Sequence, residues 1–247
     1  MLIGTIIFIL GLLIGSFLNV VILRIPEGKT MVNDRSVCRA CGYILLLADL
    51  VPVASFLLLR GKCRKCGEQI SWQYPVVELL TAVLFLFAYL ELGLTLNLLL
   101  ALIFISLSIT VTFTDLIFMR IPNKVVLFGS IVAFPFIIYN AHFYQSTLGA
   151  LIGGGFLLLI AIISRGNMGG GDIKLAFMQG LYLGISNTIV MLILSFIISG
   201  VISLLLIALK IKGHKDAIPF GPFLASAGLI AFFYGSEIIL WYFARFY

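Results

Sequence analysis

All four cysteines of the chain fall between residues 24 and 73, as Cys38-x-x-Cys41 and Cys63-x-x-Cys66, and a glycine follows each pair, Gly42 and Gly67. Thiolates at this spacing grip one metal ion from a tight turn, and glycine lets the turn close. Two such pairs make a tetrahedral four-sulfur zinc site. The 21 residues between the pairs slightly exceed the usual separation. Disulfides or free thiols are the competing readings, and a cytoplasmic location, argued below, disfavours the first. Four protein ligands leave no open position for a water, so the expected zinc is structural.

Two aspartates carry a different chemistry. Asp115 stands in Thr114-Asp115-Leu116 at the end of one apolar run, and Asp172 ends Gly169-Gly170-Gly171-Asp172 just before another. Acidic residues at the edge of membrane helices are costly and usually functional. Two carboxyls that share a site and a proton can activate water, one as base and one as acid. The glycine run gives the backbone beside Asp172 conformations closed to other residues. Taken singly, either aspartate reads as a helix cap at the membrane surface; the GxGD pattern and the matching depth of Asp115 favour a catalytic pair. Asp115 is expected at the negative, C-terminal end of a helix and Asp172 before a positive, N-terminal end. On that placement the shared proton resides mainly on Asp115, and Asp172 is the base.

Other chemistries are poorly supplied. The two histidines, His142 and His214, fall on opposite sides of the membrane in the topology below, and neither HExxH nor GxSG occurs.

The elements that must position these residues are helices. The chain of 247 residues is 62% hydrophobic and 11% charged, against roughly a quarter charged in a soluble domain. The bilayer must be its solvent. Eight apolar stretches are expected to span, at about 2–23, 75–92, 95–114, 123–139, 146–164, 173–185, 187–209 and 221–243. Only helices and closed barrels satisfy the backbone in lipid, and the runs lack the alternation of a barrel. The fold class is therefore all-α and polytopic: a single membrane domain over 1–247, with a cysteine module inserted at 24–73 between the first two spans. Within the module, 44–59 is too short to cross, contains Asp49 and Pro52, and reads as its apolar, membrane-facing part. The pairs Gly11/Gly15, Gly149/Gly153 and Gly180/Gly184 are expected to pack helices of this chain closely.

Lysine and arginine alternate by connection. Segment 24–73 and the connections at 115–124, 165–174 and 210–220 are basic, Arg35, Lys174 and Lys215 among them; those near 93–94, 140–145 and 186 carry none. The positive-inside rule then puts the cysteine module and both aspartates on the cytoplasmic side and both termini outside. The net charge of +6 is an orientation signal and makes no case for nucleic acid.

Several motifs in order resemble those of the bacterial type IV prepilin peptidases, the GxGD aspartyl peptidases. They are Gly15-Ser16-Phe17-Leu18-Asn19 with Arg24 and Pro26; the double CxxC with Arg60-Gly61-Lys62-Cys63; Tyr74-Pro75-Val76-Val77-Glu78-Leu79-Leu80-Thr81; Asp115 with Ile121-Pro122-Asn123; Gly-Gly-Gly-Asp172-Ile-Lys; and Ile218-Pro219-Phe220-Gly221-Pro222-Phe223. The resemblance implies an enzyme of the bacterial inner membrane that removes the basic leader of type IV prepilins or pseudopilins at the cytoplasmic face. It implies Asp115 and Asp172 as the dyad, and N-methylation of the new amino terminus from S-adenosylmethionine. No Rossmann-type loop marks a methyl-donor site. Glu78 is a candidate for it, and equally an acidic residue favoured at a helix start.

Further residues keep two readings each. Asn19 bonds to another helix or touches substrate; Lys174 snorkels or steers the dyad; Pro219, Gly221 and Pro222 mark a helix boundary or line the active site. Two other functions stay open: a transporter using intramembrane aspartates, which would usually show repeat symmetry, and a non-enzymatic scaffold with a zinc contact module.

Overall fold

The computed structural model describes residues 2–29, 36–139, 141–166, 168–213 and 216–246. Arg35, His214 and Lys215 lie outside the described residues. The architecture is all-helical: α1 (Leu2–Arg24), α2 (Ala54–Leu58), α3 (Gln73–Leu92), α4 (Leu96–Phe118), α5 (Asn123–Tyr139), α6 (Phe143–Ile163), α7 (Gly170–Ala208) and α8 (Gly221–Phe246). Six of these are long and apolar enough to cross a membrane, and α5 is a shorter apolar helix. Their bounds fall within a few residues of the expected spans. The one departure is that the sixth and seventh stretches join in α7.

The chain divides into two compact units, Met1–Thr110 and Val111–Tyr247. In the first, α1 packs on α3 with almost no space between backbones. A Cβ on Gly11 would lie 2.5 Å from Ala82 Cα, and one on Gly15 2.6 Å from Glu78 Cα. Asn19 is buried in the same seam, where its Nδ2 donates to the Tyr74 carbonyl at 3.1 Å and its Oδ1 accepts from Gln73 Nε2 at 3.3 Å. Segment 44–59 holds no helix of spanning length: it forms a 3-10 turn at Leu47–Leu50 and the turn-and-a-half of α2.

In the second unit α7 is 39 residues long and breaks at Gly184, with φ 69° and ψ −174°, a region open essentially to glycine alone. The break is a reversal. Ala176 O lies 2.6 Å, and Thr188 Cγ2 3.2 Å, from the same point, the Cβ that Gly153 lacks. Twelve residues of straight helix would hold those two residues about 18 Å apart. The arms 170–183 and 185–208 therefore run antiparallel, both against α6. This recovers the expected sixth and seventh stretches as separate helices among the described residues. Gly149 and Gly180, each facing the other's backbone within 2.6 Å of a would-be Cβ, let α6 and the first arm meet.

Candidate active site and metal centre

The cysteine module is one local structure made twice. In the first half Cys38 N–H donates to Tyr43 O at 2.8 Å, Gly42 N–H to Cys38 O at 2.9 Å, and Leu45 N–H to Ser36 O at 2.9 Å. In the second, 25 residues on, Cys63 N–H donates to Glu68 O at 2.8 Å, Gly67 N–H to Cys63 O at 3.0 Å, and Ile70 N–H to Gly61 O at 2.7 Å. Gly42 and Gly67 take left-handed φ of 68° and 75°, as the turns demand. The halves are cross-braced. Arg64 pairs with Asp49 at 2.8 Å, and Lys65 Nζ lies 6.0 Å over the Tyr43 ring.

The four sulfurs lie within 4.8 Å of one another. Cys38 Sγ and Cys66 Sγ are 3.8 Å apart, far beyond the 2.05 Å of a disulfide. A tetrahedral ion with bonds of about 2.3 Å sets its ligands about 3.8 Å apart. Backbone N–H groups of Cys41 and Ala40 bring the Cys38 thiol down to about 7. At Cys66 the Glu68 N–H acts downward, but burial and the Cys41, Cys63 and Cys38 thiols prevail and push it up to about 12. Four thiols so close cannot all ionise without a cation among them. The donor set and its spacing fit zinc.

Glu78, in the second turn of α3, is buried. Its Oε2 accepts the Val53 N–H at 2.7 Å, and its backbone packs against Gly15 of α1. Val53 is the residue before α2 and holds φ 59°, strained for a β-branched side chain. Glu78 is thus engaged in tying α1, α3 and the module together.

Both aspartates lie at helix termini within the second unit. Asp115 lies in the last turn of α4. Its carbonyl accepts the Met119 N–H at 2.9 Å, and Met119, at φ 51°, ends the helix. Asp172 is in the first turn of α7, its N–H donated to Gly169 O at 3.1 Å. Asp115 is buried and Asp172 half-buried, and the Asp115 carboxyl lies near enough to act electrostatically on that of Asp172. The glycine run answers to space. A Cβ at Gly169 would meet Asp172 Oδ2 at 2.9 Å, and one at Gly171 would meet Ile121 Cβ at 3.0 Å. Asp115 Oδ2 also accepts the Gly221 N–H at 3.0 Å, from the first residue of α8. Both carboxyls therefore meet a helix N-terminus. Asp115 stands at the C-terminal end of α4, as expected, but the α8 start also faces its carboxyl and acts against the helix-end argument for placing the proton there.

Beside Asp172 a groove of about 680 Å³ runs between α5, α6 and the first arm of α7, lined by Leu127, Leu151, Leu158, Ile173 and Phe177. Lys174 stands at its mouth and donates to Asn123 Oδ1 at 3.0 Å. Of the two readings of Pro219, Gly221 and Pro222, a helix boundary or a lining of the site, Gly221 meets both: it opens α8 and touches Asp115 directly. Val53 as the partner of Glu78 carried no sequence signal.

The model of the bacterial peptidase A24 N-terminal domain matches residues 9–92, and that of the type IV leader peptidase family matches residues 102–204. The prepilin leader peptidase/N-methyltransferase of Bacillus subtilis (strain 168) is 38% identical over 240 residues, which span 96% of this chain and 97% of that one. The protein of the same name in Aeromonas hydrophila is 32% identical over 276 residues, 98% and 94% of the two chains. That of Legionella pneumophila is 32% identical over 264 residues, 94% and 91%. No solved structure matches. The resemblance drawn from the motifs is borne out: the chain belongs to the type IV leader peptidase family.

Proposed function

We propose that this chain is an intramembrane aspartyl endopeptidase of the bacterial inner membrane that removes the leader of type IV prepilins or pseudopilins and then methylates the new amino terminus. The observation that supports the reading is that Asp115 and Asp172 stand at helix termini of one membrane unit, near enough for one carboxyl to act electrostatically on the other. One carboxylate takes a proton from water as the water attacks the scissile carbonyl. The other carboxyl gives its proton to the carbonyl oxygen, and the proton gained from water passes to the departing amine. A helical peptide bond has its carbonyl engaged, so the substrate unwinds locally before attack. Its apolar segment lies along the groove of Ile173 and Phe177, with its leader and the cysteine module on the cytoplasmic side and both termini of this chain outside.

Zinc held by Cys38, Cys41, Cys63 and Cys66 keeps the module folded and takes no part in cleavage. For the methyl donor, S-adenosylmethionine, the module offers a cavity of about 340 Å³ lined in part by Phe56, Arg60, Lys62 and Trp72. The Phe56 and Trp72 rings, with centroids 4.9 Å apart, suit a purine, and the two cations suit a carboxylate. When bound there, the donor would supply the methyl group. Glu78, whose Oε2 accepts from Val53, braces the module and keeps its second carboxylate oxygen for a donor ligand.

Incubation of the purified protein with a prepilin tests the reading, with leader loss and the mass of one added methyl group read together. No leader loss from a folded protein would sink it. Trp72→Ala should lower methylation and spare cleavage; equal loss of both would move the donor elsewhere.

A further inference from the structure

We infer that Gly221, through its N–H and through its lack of a side chain, is the positioning residue for Asp115. The inference rests on the reading of Asp115 and Asp172 as the catalytic pair.

A helix start leaves four N–H groups without intrahelical partners. In α8 the count is short. Pro222 has no N–H, and the Phe223 and Leu224 N–H groups both close on Phe220 O at 3.1 Å. Gly221 alone points a donor out of the turn, and it goes to Asp115 Oδ2 at 3.0 Å in a buried setting. Pro222 thereby does more than end a loop. It removes the neighbouring donor and leaves one backbone dipole aimed at one carboxyl oxygen, an arrangement that fixes the rotamer of the acid.

Space makes the second half of the case. Gly221 has no left-handed φ, so the backbone does not call for glycine. A Cβ there would lie 2.6 Å from Asp115 Oδ2, 3.1 Å from its Cγ and 3.3 Å from its Cβ. Any other residue must push the carboxyl away. The same face of α8 repeats the device at seven-residue intervals. Gly228 accommodates Gln179 Nε2 and Gly235 accommodates Asn187 Oδ1, each nearer than a Cβ tolerates. These two share the packing role of Gly221 and lack its contact with the dyad, which makes them built-in controls.

The experiment compares Gly221→Ala, Gly228→Ala and Gly235→Ala for prepilin cleavage, thermal stability and pH–rate profile. Displacing a catalytic group by a fraction of an ångström to one ångström costs about 10- to 100-fold in rate. Gly221→Ala is expected to lose that much kcat at unchanged KM, with an altered pH–rate profile, and to be no less stable than Gly228→Ala. Wild-type kcat in Gly221→Ala, or equal kcat losses in all three, would overturn the assignment. Should Gly221→Ala fail to fold, the double variant Gly221→Ala/Asp115→Ala removes the collision; recovery of the fold supports the contact, and its absence overturns it. Asp115→Asn separates the two readings. If it cleaves normally the dyad itself is wrong; if it is inactive while Gly221→Ala is fully active, only the present inference falls.

Discussion

Glu78 Oε2 accepts the N–H of Val53 at 2.7 Å across 25 residues of sequence, and so pins a left-handed valine at the start of α2. A hydrogen bond to a charged group contributes about 1.5–3 kcal/mol. Glu78→Ala should cost about that much and loosen segment 44–59, whereas Glu78→Gln keeps an acceptor and should cost less. Limited proteolysis of the module, read beside thermal unfolding, checks both. Equal protection in all three proteins would show that the contact holds nothing.

One zinc ion per chain is expected. Replacing any of Cys38, Cys41, Cys63 or Cys66 by serine should release it and loosen the module, with cleavage retained in part and methylation lost more fully. Binding needs thiolates. Cys38 titrates near about 7, and Cys66 holds its proton up to about 12 until a metal displaces it. Apparent zinc affinity should therefore rise with pH through neutrality and fall on acidification. Metal analysis of the folded, active enzyme, repeated across that pH range, decides the point; a metal-free protein with full activity would end the zinc reading.

Asp115→Asn and Asp172→Asn should each lower cleavage by about 10²- to 10⁴-fold, the usual yield of a general acid or base. With a helix N-terminus at both carboxyls, the two residual rates should be comparable. A clear excess for Asp115→Asn, with both proteins folded and binding substrate, would restore Asp172 as the sole base.

The pair sits at the ends of α4 and α7, and a prepilin should be cut only where its chain leaves the apolar stretch. Moving the scissile bond two helical turns deeper, about 10 Å, should abolish cleavage. Equal cleavage at the deeper bond, by mass spectrometry of the product, would show that the dyad works elsewhere in the membrane.

The helices were legible because lipid demands long apolar runs, and the cysteine tetrad because CxxCG encodes its own turn. Asp115 and Asp172 stood out as costly charges beside apolar runs. What the residues alone did not disclose depended on tertiary approach. Gly184 read, with Gly180, as a packing residue near the end of the sixth stretch, until Ala176 and Thr188 were found against the same Gly153. Glu78 read as a helix-start acid or a donor ligand because its partner is a backbone N–H, which has no letter in the sequence. The helix-end argument at Asp115 counted only α4; a third helix, α8, ends on the same carboxyl.

The reversal at Gly184 has a consequence for the surrounding lipid. Fourteen residues, 170–183, span about 21 Å, and the 17 residues of α5 about 25 Å, against a hydrocarbon core of about 30 Å. Both helices border the groove next to Asp172. Hydrophobic mismatch of this sign is relieved by pinching the bilayer inward, which carries the water line down toward a carboxyl that needs water to react. The hydrolase would then draw its second substrate through a dimple of its own making. Turnover in short-chain lipid should exceed turnover in long-chain lipid of the same headgroup, and indifference to acyl length would remove this source of water.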